Sequence, residues 1–122
     1  MKTEIAIADA DKKACRSLSR DLEDRQYQTT SINSLKGLEK FLQKNRCLAI
    51  IIDLDTLPVD KQYFRNLKRL HPMTQIIGIS EHSFHPKLEE AISQHIFACV
   101  TSPVDPEEII FLLKSINEHN EN

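Results

Sequence analysis

The stretch Leu48-Ala49-Ile50-Ile51-Ile52-Asp53 decides the reading of this chain. Five consecutive apolar residues without polar alternation are what a parallel strand needs when helices cover both of its faces, and the run ends on a carboxylate. Two further runs share this form. Ile5-Ala6-Ile7-Ala8 leads into Asp9, and Ile76-Ile77-Gly78-Ile79 leads into Ser80. Open α/β sheets place their chemistry outside the C-terminal ends of their strands. Three strand ends therefore offer two acids and a hydroxyl at the place where a site is expected.

Between these runs the pattern changes to helical spacing. A strand over Glu4 to Asp9 precedes a helix capped by Asp11 and carrying Ala14, Leu18 and Leu22. Tyr27 to Ile32 reads as a second strand, with Asn33-Ser34 as the capping pair ahead of Leu35, Leu38, Phe41 and Leu42. After the strand Leu48 to Asp53, Leu57-Pro58-Val59 leads to a third helix bearing Tyr63, Leu67 and Leu70. Gln75 to Ser80 is the fourth strand. Pro86 opens a fourth helix whose apolar positions, Leu88, Ala91 and Ile92, are the sparsest of the five. Phe97 to Val100 is the fifth strand, and Asp105-Pro106-Glu107-Glu108 starts a fifth helix with the stripe Ile109, Leu112, Leu113 and Ile116. Residues 1–118 are expected to form the domain, and 119–122 a polar, frayed tail.

Five strands alternating with five helices imply a doubly wound, five-stranded parallel α/β sheet. In the order 2-1-3-4-5 the first and third strands are neighbours, which brings Asp9 and Asp53 together.

Composition removes several function classes. With 122 residues the chain suits one domain, and no apolar run approaches the roughly 20 residues of a membrane span. Met1-Lys2-Thr3-Glu4 passes straight into a strand without a signal-peptide pattern, so a cytoplasmic, non-membrane protein is expected. Net charge is −2 with no basic cluster, which argues against direct nucleic-acid binding. Only Gly37 and Gly78 occur, too few for a glycine-rich phosphate loop. Cys15, Cys47 and Cys99 are odd in number and lie in apolar contexts, as packed reduced thiols do. His82 and His85 flank a predicted loop and read as surface residues.

Two adjacent carboxylates bind a hard cation, share a proton or acquire a raised pKa. Mg²⁺ with a phosphoryl group suits Asp9 and Asp53, and Ser80 has a hydroxyl to donate. The competing reading makes Asp9 and Asp11 helix caps and Asp53 and Asp55 the start of a solvated loop; it fits each acid alone, and their joint placement at sheet ends weighs against it.

From Glu4 to about Ile116 the sequence resembles the receiver domains of two-component response regulators, which have the flavodoxin-like architecture. The resemblance makes Asp53 the phosphoacceptor for a histidine kinase and Ser80 the hydroxyl that contacts the phosphoryl group. It implies a Mg²⁺ site at Asp9, Asp53 and Asp55, with Asp11 as partial support. It also implies a cis bond at Ser102-Pro103. Four departures stand at the active end. The acidic pair after strand one reads Asp9-Ala10, the lysine before the proline is Ser102, the switch aromatic of strand five falls at Cys99, and the loop after Asp53 is one residue longer before Pro58 and lacks a glycine.

A serine offers a neutral hydrogen bond of roughly half the strength of the charge-assisted bond it replaces. The resemblance therefore implies a non-enzymatic signalling module with a weakened Mg²⁺ and phosphorylation site, acting mainly through protein contacts. A histidine kinase or an effector domain is the implied partner. The fourth helix, fifth strand and fifth helix form the implied partner or dimer face. Two alternatives stay open: a switch still phosphorylated on Asp53, and a phosphatase of the haloacid-dehalogenase kind using Asp53 and Asp55. The second rests on Asp53-Leu54-Asp55-Thr56-Leu57, in which one residue before Thr56 is missing and no cap domain has room.

Overall fold

The computed structural model describes residues 3–82 and 94–121. Within them the order is β1 (Thr3–Ala8), α1 (Lys12–Glu23), β2 (Tyr27–Ile32), α2 (Leu35–Lys44), β3 (Ala49–Asp53), α3 (Lys61–Leu70), β4 (Gln75–Ser80), β5 (Ala98–Thr101) and a last helix, α4 (Pro106–Glu121). All strand pairings are parallel, in the order β2-β1-β3-β4-β5. This is the doubly wound sheet expected from the apolar runs. The helix expected from Pro86, with Leu88, Ala91 and Ile92, and His85 lie outside the described residues.

Strand periodicity explains why β3 carries no polar alternation. Successive side chains point to opposite faces. Ile50 and Ile52 join Ala6, Ala8 and Ile76 in a core sealed by Leu38 and Leu42 of α2 and Phe64 and Leu67 of α3. Ala49 and Ile51 join Ile5, Ile7, Ile77 and Val100 beneath Cys15, Leu18 and Leu22 of α1 and Ile109, Leu113 and Ile116 of α4. Both faces are dry, so both sets of residues must be apolar.

The caps follow the sequence signals. The Asp11 carboxylate accepts from the Lys13 and Ala14 amides, Ser34 Oγ from the Gly37 amide, and the Asp60 carboxylate from the Tyr63 amide. Some apolar positions differ from the periodic reading. Ala14 is exposed and Cys15 buried, because α1 centres its stripe on Cys15, Leu18 and Leu22. Leu70 is 62% exposed, and the stripe that α3 buries is centred instead on Phe64, which is fully buried, and Leu67. Cys99 is exposed on β5, unlike the buried Cys15 and Cys47. The last helix continues through the expected tail to Glu121, as its anchored turns at Ile109, Leu113 and Ile116 allow. Among the described residues no helix is long and apolar enough to cross a membrane.

Candidate functional site at the C-terminal end of the sheet

Register sets the site. Ala8 pairs with Ile52, so the next residues, Asp9 and Asp53, leave β1 and β3 at one level, and Asp53 pairs with Ile79, one residue before Ser80. Asp9 is 7% exposed, Asp53 half-buried and Ser80 fully buried. The structure thus brings together the three strand-end groups singled out in the sequence.

Each acid is held by backbone donors. Asp9 Oδ1 accepts from the Asp11 amide at 2.9 Å and from the Thr56 hydroxyl at 2.9 Å. Asp53 Oδ1 accepts from the amides of Asp55 and Thr56, both at 2.9 Å. Burial pushes the Asp9 carboxyl above the ordinary carboxylate range; the bonds from Asp11 and Thr56 oppose that shift, and the charges of Asp53 and Asp11 add to it. Asn33 fixes the backbone here by donating from Nδ2 to the Asp9 carbonyl at 2.9 Å.

Thr56 was not singled out by the sequence reading, which treated it only as part of a phosphatase-like motif. Its hydroxyl donates to Asp9 and accepts from the Ala10 amide at 3.2 Å, while its own amide donates to Asp53. One residue therefore ties the β3 loop to both acids. The signal available was its place three residues after Asp53, where an amide can close back on the carboxylate as in an Asx turn.

Asp55 lies apart from the acid pair. Its Oδ1 accepts from Ser80 Oγ at 3.0 Å and its Oδ2 from the Glu81 amide at 2.7 Å. Ser80 Oγ also accepts from the His82 amide at 3.0 Å. Asp11 is taken up by capping α1. Ser102 reaches the site through its amide, which donates to the Ser80 carbonyl at 2.8 Å, and its bond to Pro103 is cis. Beside Asp9 a cavity of about 250 Å³ is lined by Cys15, Ile79, Ser102, Pro103 and Val104.

The donor set tests the implied Mg²⁺. Among the described residues no group of three or more His, Cys, Asp or Glu side chains is arranged to hold a metal. Asp9 and Asp53 form a pair whose mutual charge adds to the burial that raises Asp9, and a pair meets the one or two carboxylates used by a Mg²⁺ ion bound partly through phosphate oxygens. These two carboxylates are the residues that would hold the ion. Asp55 and Asp11 are directed to other partners.

The family model for the response regulator receiver domain matches residues 5–114, from β1 into α4. This chain belongs to the receiver domain family. No curated protein sequence matches it. Solved receivers share its fold at low identity. A two-component response regulator from Clostridium difficile superposes with a TM-score of 0.88 at 16% identity, over 99% of this chain and 100% of that one. A CheY-like receiver domain protein from Methanospirillum hungatei JF-1 gives 0.87 at 15% identity, over 99% and 98%. The NtrC4 receiver domain, solved as a beryllofluoride-activated dimer, gives 0.84 at 20% identity, over 95% and 97%. Identities this low establish the receiver fold, and the residues at the site have to be read on their own terms.

Proposed function

We propose that this receiver domain signals chiefly through contacts with a partner protein, and that Asp53 stands at a phosphoacceptor position whose chemistry is weak. The observation carrying this reading is the hydrogen bond from Ser80 to Asp55 beside a site in which Ser102 stands where the family pattern has lysine. A phosphoryl group on Asp53 gathers nearly two negative charges at pH 7. Ser102 brings no cation to meet them. Mg²⁺ supplies positive charge when bound, yet among the described residues Asp9 and Asp53 are the carboxylates left for it, because Ala10 has no carboxylate and Asp11 caps α1.

The proposed partner is a histidine kinase or an effector domain, met in the cytoplasm on the side of β5 and the last helix. Phe111 on that helix is 68% exposed and Phe97, the residue before β5, is 40% exposed, both available to a protein surface. A phosphatase reading has less support, since the Asp55 carboxylate is bonded to Ser80 and the Glu81 amide.

Mass spectrometry after incubation with acetyl phosphate and Mg²⁺ tests the proposal, with Asp53→Asn as control. Little modified protein is expected, and a binding partner isolated with the wild-type chain should bind Asp53→Asn with the same affinity. Stoichiometric, Asp53-dependent mass gain, or a partner that binds only the phosphorylated chain, would favour the phosphorylation switch.

A further inference from the structure

We infer that Asp55 is a resident anion for the end of β4: in the unmodified chain its carboxylate takes the hydrogen bond that a phosphoryl group on Asp53 would need from Ser80, and the Glu81 amide with it. A serine hydroxyl has one proton to donate. Ser80 gives it to Asp55 Oδ1 at 3.0 Å while its oxygen accepts from the His82 amide at 3.0 Å, so the one proton of this fully buried hydroxyl is already committed. The neighbouring Glu81 amide goes to Asp55 Oδ2 at 2.7 Å, which makes the capture two-pronged. Charge-assisted bonds of this kind are roughly twice as strong as neutral ones.

Asp55 is also fixed from behind. Its amide donates to Asp53 Oδ1 at 2.9 Å, so the residue spans the gap from the end of β3 to the end of β4. Leu54 reinforces the span, with its amide donating to the Ile79 carbonyl at 2.8 Å and its side chain packed in the core. A phosphoryl group arriving on Asp53 would have to displace a carboxylate from Ser80 while being repelled by it. The shape of the β4 end is therefore set by Asp55 and not by the state of Asp53. This explains in atomic terms why coupling is weak, and its functional consequence rests on the proposal above, although the clamp itself does not.

Amide hydrogen exchange by NMR on the whole chain reads the clamp without any phosphodonor. Asp55→Ala is expected to speed exchange at the Glu81 amide at least tenfold and to shift its proton resonance. Asp53→Asn should leave that amide nearly unchanged. Protection of the β1 and β3 amides reports that the variant is folded, and Asp55→Asn, which keeps an acceptor oxygen, serves if Asp55→Ala is not. In the same spectra, beryllofluoride with Mg²⁺ is expected to shift the Ser80 and Glu81 amides more in Asp55→Ala than in the wild type. Unchanged Glu81 exchange in folded Asp55→Ala would overturn the inference, as would a beryllofluoride shift that is present and equal in the wild type and the variant. Failure of the weak-acceptor reading would instead appear in the acetyl phosphate experiment, where wild-type Asp53 would be fully modified.

Discussion

Replacing Thr56 by valine removes one hydroxyl and keeps the shape and the backbone amide, so it isolates the link between the β3 loop and Asp9. The amide bond to Asp53 Oδ1 survives. Two bonds are lost: the hydroxyl's donation to Asp9 Oδ1 at 2.9 Å and its acceptance from the Ala10 amide at 3.2 Å. A hydrogen bond to a charged group contributes about 1.5–3 kcal/mol, and the exposed position of Thr56 places this one at the low end. The Ala10 amide is exposed and can turn to water, adding about 0.5 kcal/mol or less. The expected loss is about 1.5–2 kcal/mol, which for a domain of this size lowers Tm by about 5–10 °C. Thr56→Ser keeps the hydroxyl and should lose less than half as much. The substitution also has a titration signature. The Thr56 hydroxyl holds the Asp9 carboxyl down against burial, so its removal should raise that pKa further. Calorimetry and carboxyl ¹³C titration measure both effects. If Thr56→Val melts with the wild type and leaves the Asp9 titration unmoved, the hydroxyl does not hold the two loops together.

Two further outcomes follow from the same geometry. A methyl group at Gly78 would meet Leu54 Cδ1 at 3.0 Å and Cγ at 3.3 Å, and Leu54 is buried, so Gly78→Ala is expected to cost about 1–2 kcal/mol in urea unfolding. Asp9 is protonated more readily in the folded chain than in the unfolded one, so its contribution is favourable at low pH and stability falls as pH rises from the ordinary carboxylate range through the raised folded value. Asp9→Asn, which retains an acceptor for Asp11 and Thr56, should abolish this fall and be more stable than the wild type at neutral pH; equal stability of the two proteins from acid to neutral pH would contradict the sign.

The sheet was legible because its cause is local and repeated. Short unalternated runs of β-branched isoleucine suit a strand covered on both faces, and Asp11 and Ser34 announce the helices they cap. That Asp9 and Asp53 are neighbours followed from strand order, and their common level is set by the register of β1 on β3. The inside of α3 was harder to read: Tyr63, Leu67 and Leu70 have helical spacing, but which apolar residue faces inward depends on where the sheet ends, and Phe64 took the place given to Leu70. Hydrogen bonds between loops were not readable at all. Thr56 reaching Asp9, 47 residues away, and Asp55 reaching Ser80, 25 residues away, depend on the path of the chain after β3, which no periodicity encodes.

Asp53 is proposed to be a weak acceptor because Ser102 brings no cation and Ala10 no carboxylate. The most direct measurement is the initial rate of Asp53 phosphorylation by acetyl phosphate with Mg²⁺ in the wild type and in Ala10→Asp/Ser102→Lys. The new lysine would enter the loop that lines the cavity beside Asp9. A restored charge-assisted contact of about 1.5–3 kcal/mol in the transition state corresponds to a rate increase of about 10- to 150-fold, and the double variant is predicted to show it. A folded double variant no faster than the wild type, or a wild-type chain itself modified to completion, would contradict a weakened acceptor.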